Sequence, residues 1–267
     1  MKKLFILTVV VLFFLTACLF FHKNKKKYNN NCNEILNIEG SRKIDKDFIK
    51  IVNEINLRNN KIKTILIKSM PIKLKNGSMT FRLNGNLAFQ KEKLFRLIIS
   101  HKITGREMDL GSNDSIFWFY SKRTSPAALY YSTHENFNKT NLKTPLNPFW
   151  MIESLNLNEI NFQNIISIKE DESSYQTFEK RKSANEESVY LTTVIDKLEK
   201  KIINRNIFRE DKSMLTNTKY IGSTIIISWP EEDIIMEWDI NNKQTNVKLE
   251  SNLWDLPDYK KKINIGK

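Results

Sequence analysis

The sequence predicts an α+β fold, in which a long antiparallel sheet carries a few helices. Three observations predict it. A helical stripe of apolar residues lies near the start of the domain, hydrophobicity alternates over 79–90 and again over 225–249, and a short apolar helix is expected between these strand-rich parts. We expect residues 41–267 to form a single domain, because a chain of this length can bury one sizeable core.

The first predicted element is an amphipathic helix followed by an Ile-rich strand over 61–68. The helix has to pack on another layer, because its apolar stripe would otherwise face water. The stripe consists of Ile44, Phe48, Ile51, Val52 and Ile55.

The next strand has the clearest alternation in the chain and is interrupted by Gly85. Glycine within a strand marks either curvature or the close approach of another segment, so the pattern favours a strongly curved sheet. One face of this strand is expected to carry Met79, Phe81, Leu83, Leu87 and Phe89.

Another strand is predicted over 93–103, and the turn-forming residues Asp109 to Asp114 precede an aromatic strand over 116–120. Both faces of the aromatic strand are apolar. We therefore expect it to be central, with one face on the helices and the other toward a core or cavity.

The short apolar helix is predicted over 147–155, with Asn147 as its N-cap and Pro148 at its first position. The charged stretch 169–187 is typical of either a solvated loop or an edge hairpin, attached through Tyr175 and Phe178. A C-terminal meander of three strands is expected, with a turn at 230–233. Its apolar positions are Ile225, Ile227 and Trp229, then Ile234, Met236, Trp238 and Ile240, then Thr245, Val247 and Leu249.

The N-terminus has the pattern of a bacterial lipoprotein precursor. An uncharged apolar run follows Lys2 and Lys3 and ends in the sequence Leu15-Thr16-Ala17-Cys18. We expect residues 1–17 to be a signal peptide, Cys18 to be lipid-modified, and 18–40 to be a flexible tether. Acyl chains such as palmitate on Cys18 would anchor the protein durably, at about 0.8 kcal/mol for each buried methylene. The alternative is an uncleaved anchor over 4–21, which the lysines that follow it favour.

The formal net charge of +13 falls to +11 when Lys2 and Lys3 leave with the signal peptide. A basic protein favours nucleic acid, anionic lipid or acidic partners. Export would remove access to nucleic acid, so a membrane surface is the better expectation. Nucleotide bias in a Lys-, Asn- and Ile-rich chain explains the charge equally well. Cys32 is the only other thiol, which excludes an internal disulfide once Cys18 is acylated.

The sequence predicts no enzyme, no metal site and no cofactor. His22, His101 and His134 lack metal-ligand spacing. The pair His134-Glu135 has the chemistry of a general base, for an esterase-like hydrolysis, but no nucleophile motif lies beside it. The oxygen-rich segment 109–114 lacks the ligand periodicity of a calcium loop and is better explained as a turn.

The chain instead carries many large apolar side chains, with 16 Phe, 5 Trp and 7 Met. Two interpretations are open. These side chains either fill their own core, or they line a lipid-sized space enclosed by a curved sheet.

Several segments resemble the LolA/LolB-like superfamily of envelope lipoprotein-sorting proteins, and the resemblance spans approximately Ile44 to Pro257. The segments are Leu94-Phe95-Arg96-Leu97, Glu107 to Asp114 and Phe117-Trp118-Phe119-Tyr120 within 77–123, then Pro148 to Leu155, Ile227-Ser228-Trp229-Pro230, and Asn246-Val247. The resemblance implies a strongly curved, incompletely closed antiparallel β-barrel whose helices cover the concave face. It also implies a noncatalytic function in which acyl chains of lipoproteins in transit are held in an apolar cavity.

The resemblance implies a set of cavity-lining residues, of which two belong to a lid. The implied partners are lipid or a lipidated protein, together with the membrane to which acylated Cys18 attaches. Leu19 is not the acidic residue that the superfamily's sorting rule associates with the inner membrane, so the outer membrane, facing the periplasm, is the expected location. The alternative is a structural or signalling envelope module that binds a protein partner. The expected lining residues are Phe81, Leu83, Phe89, Trp118, Tyr120, Ile227 and Trp238, with Met151 and Ile152 in the lid.

Overall fold

A computed structural model describes residues 45–91, 94–136, 147–182 and 188–266. The described residues form two α-helices, α1 (Lys46–Asn60) and α2 (Pro148–Ser154), and two 3-10 helices, Phe162–Asn164 and Ser251–Trp254. The strands are β1 (Thr64–Asn76), β2 (Met79–Gln90), β3 (Leu94–His101), β4 (Gly105–Ser112), β5 (Ile116–Ser121), β6 (Leu129–Thr133), β7 (Ile165–Glu170), β8 (Ser174–Lys182), β9 (Ser188–Asp196), β10 (Lys201–Phe208), β11 (Met214–Ile221), β12 (Thr224–Trp229), β13 (Ile234–Asp239), β14 (Gln244–Thr245) and β15 (Lys262–Asn264).

All fifteen strands belong to one sheet, whose order is β15-β6-β5-β4-β3-β2-β1-β13-β12-β11-β10-β9-β8-β7, with β14 paired to β1. Every pairing is antiparallel except that of β15 with β6. Within the described residues the edge strands β15 and β7 do not pair with each other, so hydrogen bonds do not close the sheet. The predicted α+β class, with an open antiparallel sheet, is confirmed. The strong curvature and the covering of a concave face remain predictions.

Helix α1 confirms the predicted amphipathic helix, although Ile44 lies outside the described residues. It buries Phe48, Ile51, Val52 and Ile55. These four side chains share an apolar cluster with residues of β7 to β10, among them Ile195 and Ile202. We call the side of the sheet on which α1 and α2 pack the helix-facing side, and the other the opposite side.

The helix-facing side also carries the main apolar cluster. Strand alternation aligns one row of side chains across β1 to β4, β12 and β13, and α2 packs onto this row. The cluster includes Ile65, Ile67, Met70, Ile72, Leu74, Leu87, Phe89, Phe95, Leu97, Ile99, Met108, Leu110, Met151, Ile152, Leu155, Leu157, Ile225, Ile227, Trp229, Met236 and Trp238.

Gly85 allows close approach between neighbouring strands. Strand β2 runs through it without a break, whereas β1 shifts register between Ile67 and Met70. A Cβ atom at Gly85 would lie 2.6 Å from Ile72 Cδ1 and 3.1 Å from the terminal methyl of Met70. Of the two explanations for this glycine, close packing is therefore the one seen.

Two predicted segments differ from the structure. Asp109 to Ser112 form the buried end of β4, so only residues 113–115 make the turn, where Asn113 Oδ1 accepts hydrogen bonds from the backbone of Ser115 and Ile116. The polar residue types suggested a turn. Asp109 can lie in a buried strand because its carboxylate accepts hydrogen bonds from other side chains of the fold. The third meander strand was also misplaced, because β14 has two residues and pairs with β1 rather than with β13.

The charged stretch 169–187 is an edge hairpin where the structure describes it, formed by β7 and β8. Tyr175 and Phe178 are buried, as expected for its attachment to the body. Residues 183–187 lie outside the described residues.

The C-terminal segment covers the opposite side of β3, β4 and β5. Arg96 Nη1 donates to the Leu253 carbonyl at 3.2 Å, and the rings of Tyr120 and Tyr259 stack with their centroids 4.1 Å apart. Beneath it the fully buried Asp109 accepts hydrogen bonds from Arg96, from Tyr259 Oη and from Trp118 Nε1. Burial and the charge of Asp109 outweigh the influence of Arg106 and raise the pKa of Tyr259 to about 12. The sheet is therefore covered on both sides in this region.

Gly111 tests this packing, because a Cβ atom there would overlap the indole ring of Trp118. We predict that Gly111→Ala lowers the free energy of unfolding by about 2 kcal/mol, since overpacking a buried site displaces its neighbours. Urea unfolding of Gly111→Ala, alone and combined with Trp118→Leu, measures this loss of stability. Adding Trp118→Leu to Gly111→Ala should recover part of the loss, and an unchanged midpoint for Gly111→Ala would contradict the described packing.

Candidate functional site

The structure brings seven of the nine predicted lining residues together on the helix-facing side. Five of them are buried members of the main apolar cluster, and Phe81 and Leu83 are partly buried against it. The five buried members are Phe89, Met151, Ile152, Ile227 and Trp238.

Pairing of β1 with β13 unites these residues across a long sequence separation. Ile72 faces Leu83 on one neighbouring strand and Trp238 on the other, and Trp238 in turn faces Ile225. Paired residues of adjacent strands project to the same side of the sheet. One continuous apolar surface therefore runs from β4 to β12.

Helix α2 supplies the other wall of this apolar region. Asn147 caps it by accepting a hydrogen bond from Phe149 N at 2.9 Å, and Pro148 occupies the first turn, as predicted. A helix of seven residues has little stability by itself, so its position depends on the packing of Met151 and Ile152 against the sheet.

Trp118 and Tyr120 lie elsewhere, on the opposite side under the C-terminal segment. Alternation along β5 directs Phe119 to the main cluster, where it pairs with Leu110, whereas Trp118 pairs with Gly111. We expected these two aromatic residues to share a surface with the other seven. They instead project from the opposite face of β5. Because both faces of this strand are apolar, the sequence alone did not distinguish them.

A buried polar cluster adjoins the apolar surface on the helix-facing side. Glu153 of α2 accepts hydrogen bonds from Arg205 Nη1 at 2.6 Å and from Asn158 Nδ2 at 2.5 Å, and it pairs with Arg181 at 3.4 Å. Arg181 also donates to Glu179 from Nε and Nη2, at 3.1 Å and 2.8 Å. Two arginines and two glutamates make the cluster formally neutral.

Threonines surround these charges on β8, β9 and β11. Arg205 faces Thr193 on one neighbouring strand and Thr218 on the other, and Thr193 faces Thr177. Thr218 lies 3.2 Å from the Ser154 hydroxyl, which joins the row to α2. We call Glu153, Arg181, Glu179, Arg205 and this group of threonines, including Thr216, the interior polar cluster.

The ion pairs decide the protonation of Glu153. Burial raises the pKa of this carboxyl, but Arg205, Arg181 and Asn158 outweigh the effect, so the pKa lies below its ordinary value of 4.5. Burial lowers the pKa of Arg181, and Glu153 and Glu179 more than compensate. Both groups are therefore charged at neutral pH.

The described part of the chain includes His134, the candidate general base, and the acidic residues of 109–114. No group of three or more His, Cys, Asp or Glu side chains there is arranged to hold a metal ion. Nε2 of His134 lies 2.7 Å from the carbonyl oxygen of Asn113, and its ring packs near Phe149.

The predicted N-terminal features lie outside the described residues. These are the signal peptide 1–17, the acylation site Cys18, the tether 18–40, and His22 and Cys32. Among the described helices, none is long and apolar enough to cross a membrane.

Comparison with known proteins shows similarity at the level of the fold. A domain from Vibrio parahaemolyticus, described as that of an outer membrane lipoprotein-sorting protein, superposes with a TM-score of 0.53 at 11% sequence identity, covering 78% of this chain and 95% of the domain. Two further structures superpose less well. A LolA superfamily protein from Nitrosomonas europaea has a TM-score of 0.49 at 7% sequence identity, covering 77% of this chain and 97% of that protein. A DUF1329 family protein from Desulfovibrio piger has a TM-score of 0.48 at 11% sequence identity, covering 78% of this chain and 97% of that protein. No family model and no curated protein matches the sequence. The predicted resemblance is thus confirmed at the level of the fold, by the similarity to the lipoprotein-sorting domain from Vibrio parahaemolyticus.

Sequence reasoning did not find the interior polar cluster. Its members alternate with other residues along strands, and the same pattern is typical of a solvent-exposed face. The available signal was Glu153, the one charged residue of helix α2.

Glu153→Gln tests the ion pairs of the interior polar cluster. We predict a loss of about 3 kcal/mol in the free energy of unfolding at pH 7, because removal of one partner leaves Arg205 buried with its charge unbalanced. A carboxyl whose pKa is lowered on folding stabilises the native state above its unfolded pKa, near 4.5, and this stabilisation is lost as the pH falls through the folded pKa. The difference between wild type and variant should therefore shrink in acid.

Urea unfolding between pH 7 and pH 3 measures this difference. Glu172→Gln, at an exposed position in the β7–β8 turn, is the matched control and should change stability little at any pH. A difference for Glu153→Gln that stays constant with pH would contradict the assignment.

Proposed function

We propose that this protein is a noncatalytic envelope lipoprotein that binds lipid, or the acyl chains of lipoproteins, between α2 and the sheet. Its function would be lipoprotein transport or insertion. The observation that carries the proposal is the continuous apolar surface on the helix-facing side, to which strands from both halves of the sheet and a short helix contribute.

The packing of the short helix α2 against the sheet supports the proposal that a chain-like apolar ligand binds there. Helix α2 contributes Met151 and Ile152 to the main cluster, and it has only seven residues. Methionine and aliphatic side chains adapt to flexible apolar ligands, and apolar surface removed from water contributes roughly 25 cal/mol per Å². An acyl chain matches this surface in chemistry, because both are apolar.

The fold and the N-terminal sequence support the location and the ligand class. The similar domain from Vibrio parahaemolyticus is described as a domain of an outer membrane lipoprotein-sorting protein. Acylation of Cys18 would anchor this chain in the outer membrane facing the periplasm, with residues 18–40 as the tether. A membrane-anchored acceptor meets its lipidated cargo at the surface where the cargo is to be inserted.

Lipid occupancy is the direct test. We predict that native mass spectrometry of the chain carrying Cys18→Ala, so that its own lipid is absent, detects bound lipid or uptake of an added triacylated peptide. Protein that is free of lipid and takes up neither probe would contradict the proposal. A specific protein recovered by crosslinking, without lipid in the site, would favour the alternative of a signalling or structural module.

Leu83→Asn tests the position of the ligand on the partly buried margin of the apolar surface. We expect uptake to weaken about tenfold, because a buried leucine side chain contributes about 1.5 kcal/mol or more. Arg82→Asn, on the exposed opposite face of the same strand, is the matched control. Equal uptake by both variants, with unchanged melting temperatures, would place the ligand elsewhere.

A further inference from the structure

The interior polar cluster contains hydrogen-bonding atoms that the fold itself does not use. Arg205 is 1% exposed, yet among the described residues only its Nη1 has a partner, while Nε and Nη2 have none. The hydroxyls of Thr193, Thr216 and Tyr220 likewise have no partner there. Buried polar groups are nearly always satisfied, so a set of five such atoms in one cluster indicates a group that binds them.

These atoms belong to neighbouring positions on three adjacent strands. Arg205 on β10 faces Thr193 on β9 and Thr218 on β11, while Thr216 and Tyr220 are the next residues of β11 on the same side. Tyr220 follows Thr218, the partner of Arg205, by two residues along β11, so its ring projects to the same side of the sheet as Arg205. The charges of Arg205 and Glu153 both act on its pKa. Burial is the largest cause and raises the pKa of Tyr220 far above its ordinary value, so the phenol remains a hydrogen-bond donor at neutral pH.

The free atoms of Arg205 define the chemistry of the ligand. Nε and Nη2 form one edge of the guanidinium group, from which two parallel N–H bonds point in the same direction. That edge binds oxygen acceptors. The charge of Arg205 is already balanced by Glu153, so a buried anion would add an uncompensated charge, whereas neutral carbonyl oxygens would not.

We propose that the interior polar cluster binds the carbonyl oxygens of the ester or amide bonds that attach acyl chains to a lipidated molecule. This inference rests on the proposed function and names the polar part of its ligand. The acyl chains would lie on the apolar surface beside the cluster, and the carbonyl groups would accept hydrogen bonds from Arg205, the threonine hydroxyls and Tyr220. The cluster would thereby distinguish acylated lipids from other apolar molecules.

A pair of lipids that differ only in their carbonyl groups tests the inference. Dipalmitoylglycerol has two ester carbonyls, whereas dihexadecylglycerol has a methylene group in place of each carbonyl and keeps the bridging oxygens. The purified full chain carrying Cys18→Ala, held in one non-ionic detergent throughout, is titrated with each. We predict that the ester binds about tenfold more tightly than the ether, the factor expected for one hydrogen bond to a charged donor.

Three variants assign the preference to the cluster. Arg205→Lys keeps the charge opposite Glu153 but removes the two-donor edge, and Thr193→Val with Thr216→Val removes two hydroxyls while retaining β-branched side chains suited to strands. Both should reduce the preference for the ester and leave binding of the ether unchanged. Thr192→Val, on the other side of β9, is the control and should keep the wild-type preference.

The outcomes separate this inference from the proposed function. Equal affinity of the wild type for ester and ether would overturn the inference while the proposed function stands. Tighter binding of palmitate anion than of the ester would also overturn it, because the cluster would then be an anion site. Failure to bind either glycerolipid or a triacylated peptide would overturn both.

Discussion

The packing of two helices on one side of an open sheet is the constraint on which the rest of this structure depends. Strands β1 to β4, β12 and β13, together with β7 to β10, present a broad apolar surface on that side, and an antiparallel sheet is stable only when such a surface is covered. Helix α1 covers the strands near β7 to β10, and α2 packs against the main cluster. Hydrogen bonds join α1 to the residues that follow α2. Asn56 and Asn59 donate to the carbonyl oxygens of Ile160 and Asn156, and the backbone N–H of Ile160 donates to Asn56 Oδ1.

The two sides of the sheet have different functions in this account. On the opposite side, Asp109, Arg96 and Tyr259 fasten the C-terminal segment over β3 to β5 through well-matched charged hydrogen bonds. On the helix-facing side, the charged groups are matched to one another, but several donors around Arg205 have no partner within the part of the chain that the structure describes. The first arrangement completes the fold, and the second leaves hydrogen-bonding capacity for a ligand.

The sequence predicted the elements whose periodicity is strong. The stripe that begins at Phe48 and the alternation through Phe89 both predicted correct elements and correct faces, because apolar side chains recur at the period of the structure they form. The sequence failed where both faces of a strand are buried. At Trp118 the apolar pattern does not distinguish the two sides, and at Asp109 a polar residue is buried through partners up to 150 residues away. The position of Arg205 inside the fold depends on the same kind of long-range pairing.

The position of a bound acyl chain relative to the two sides of the sheet tests the account most directly. Trp238 lies on the helix-facing side and Trp118 on the opposite side, so two variants that each retain one of these tryptophans, with the other four replaced by phenylalanine, report on the two sides separately. Addition of a brominated acyl lipid, a short-range quencher of indole fluorescence, should quench the variant that retains Trp238 and leave the one that retains Trp118 nearly unchanged. Equal quenching of both, or stronger quenching of Trp118, would contradict a lipid site between α2 and the sheet.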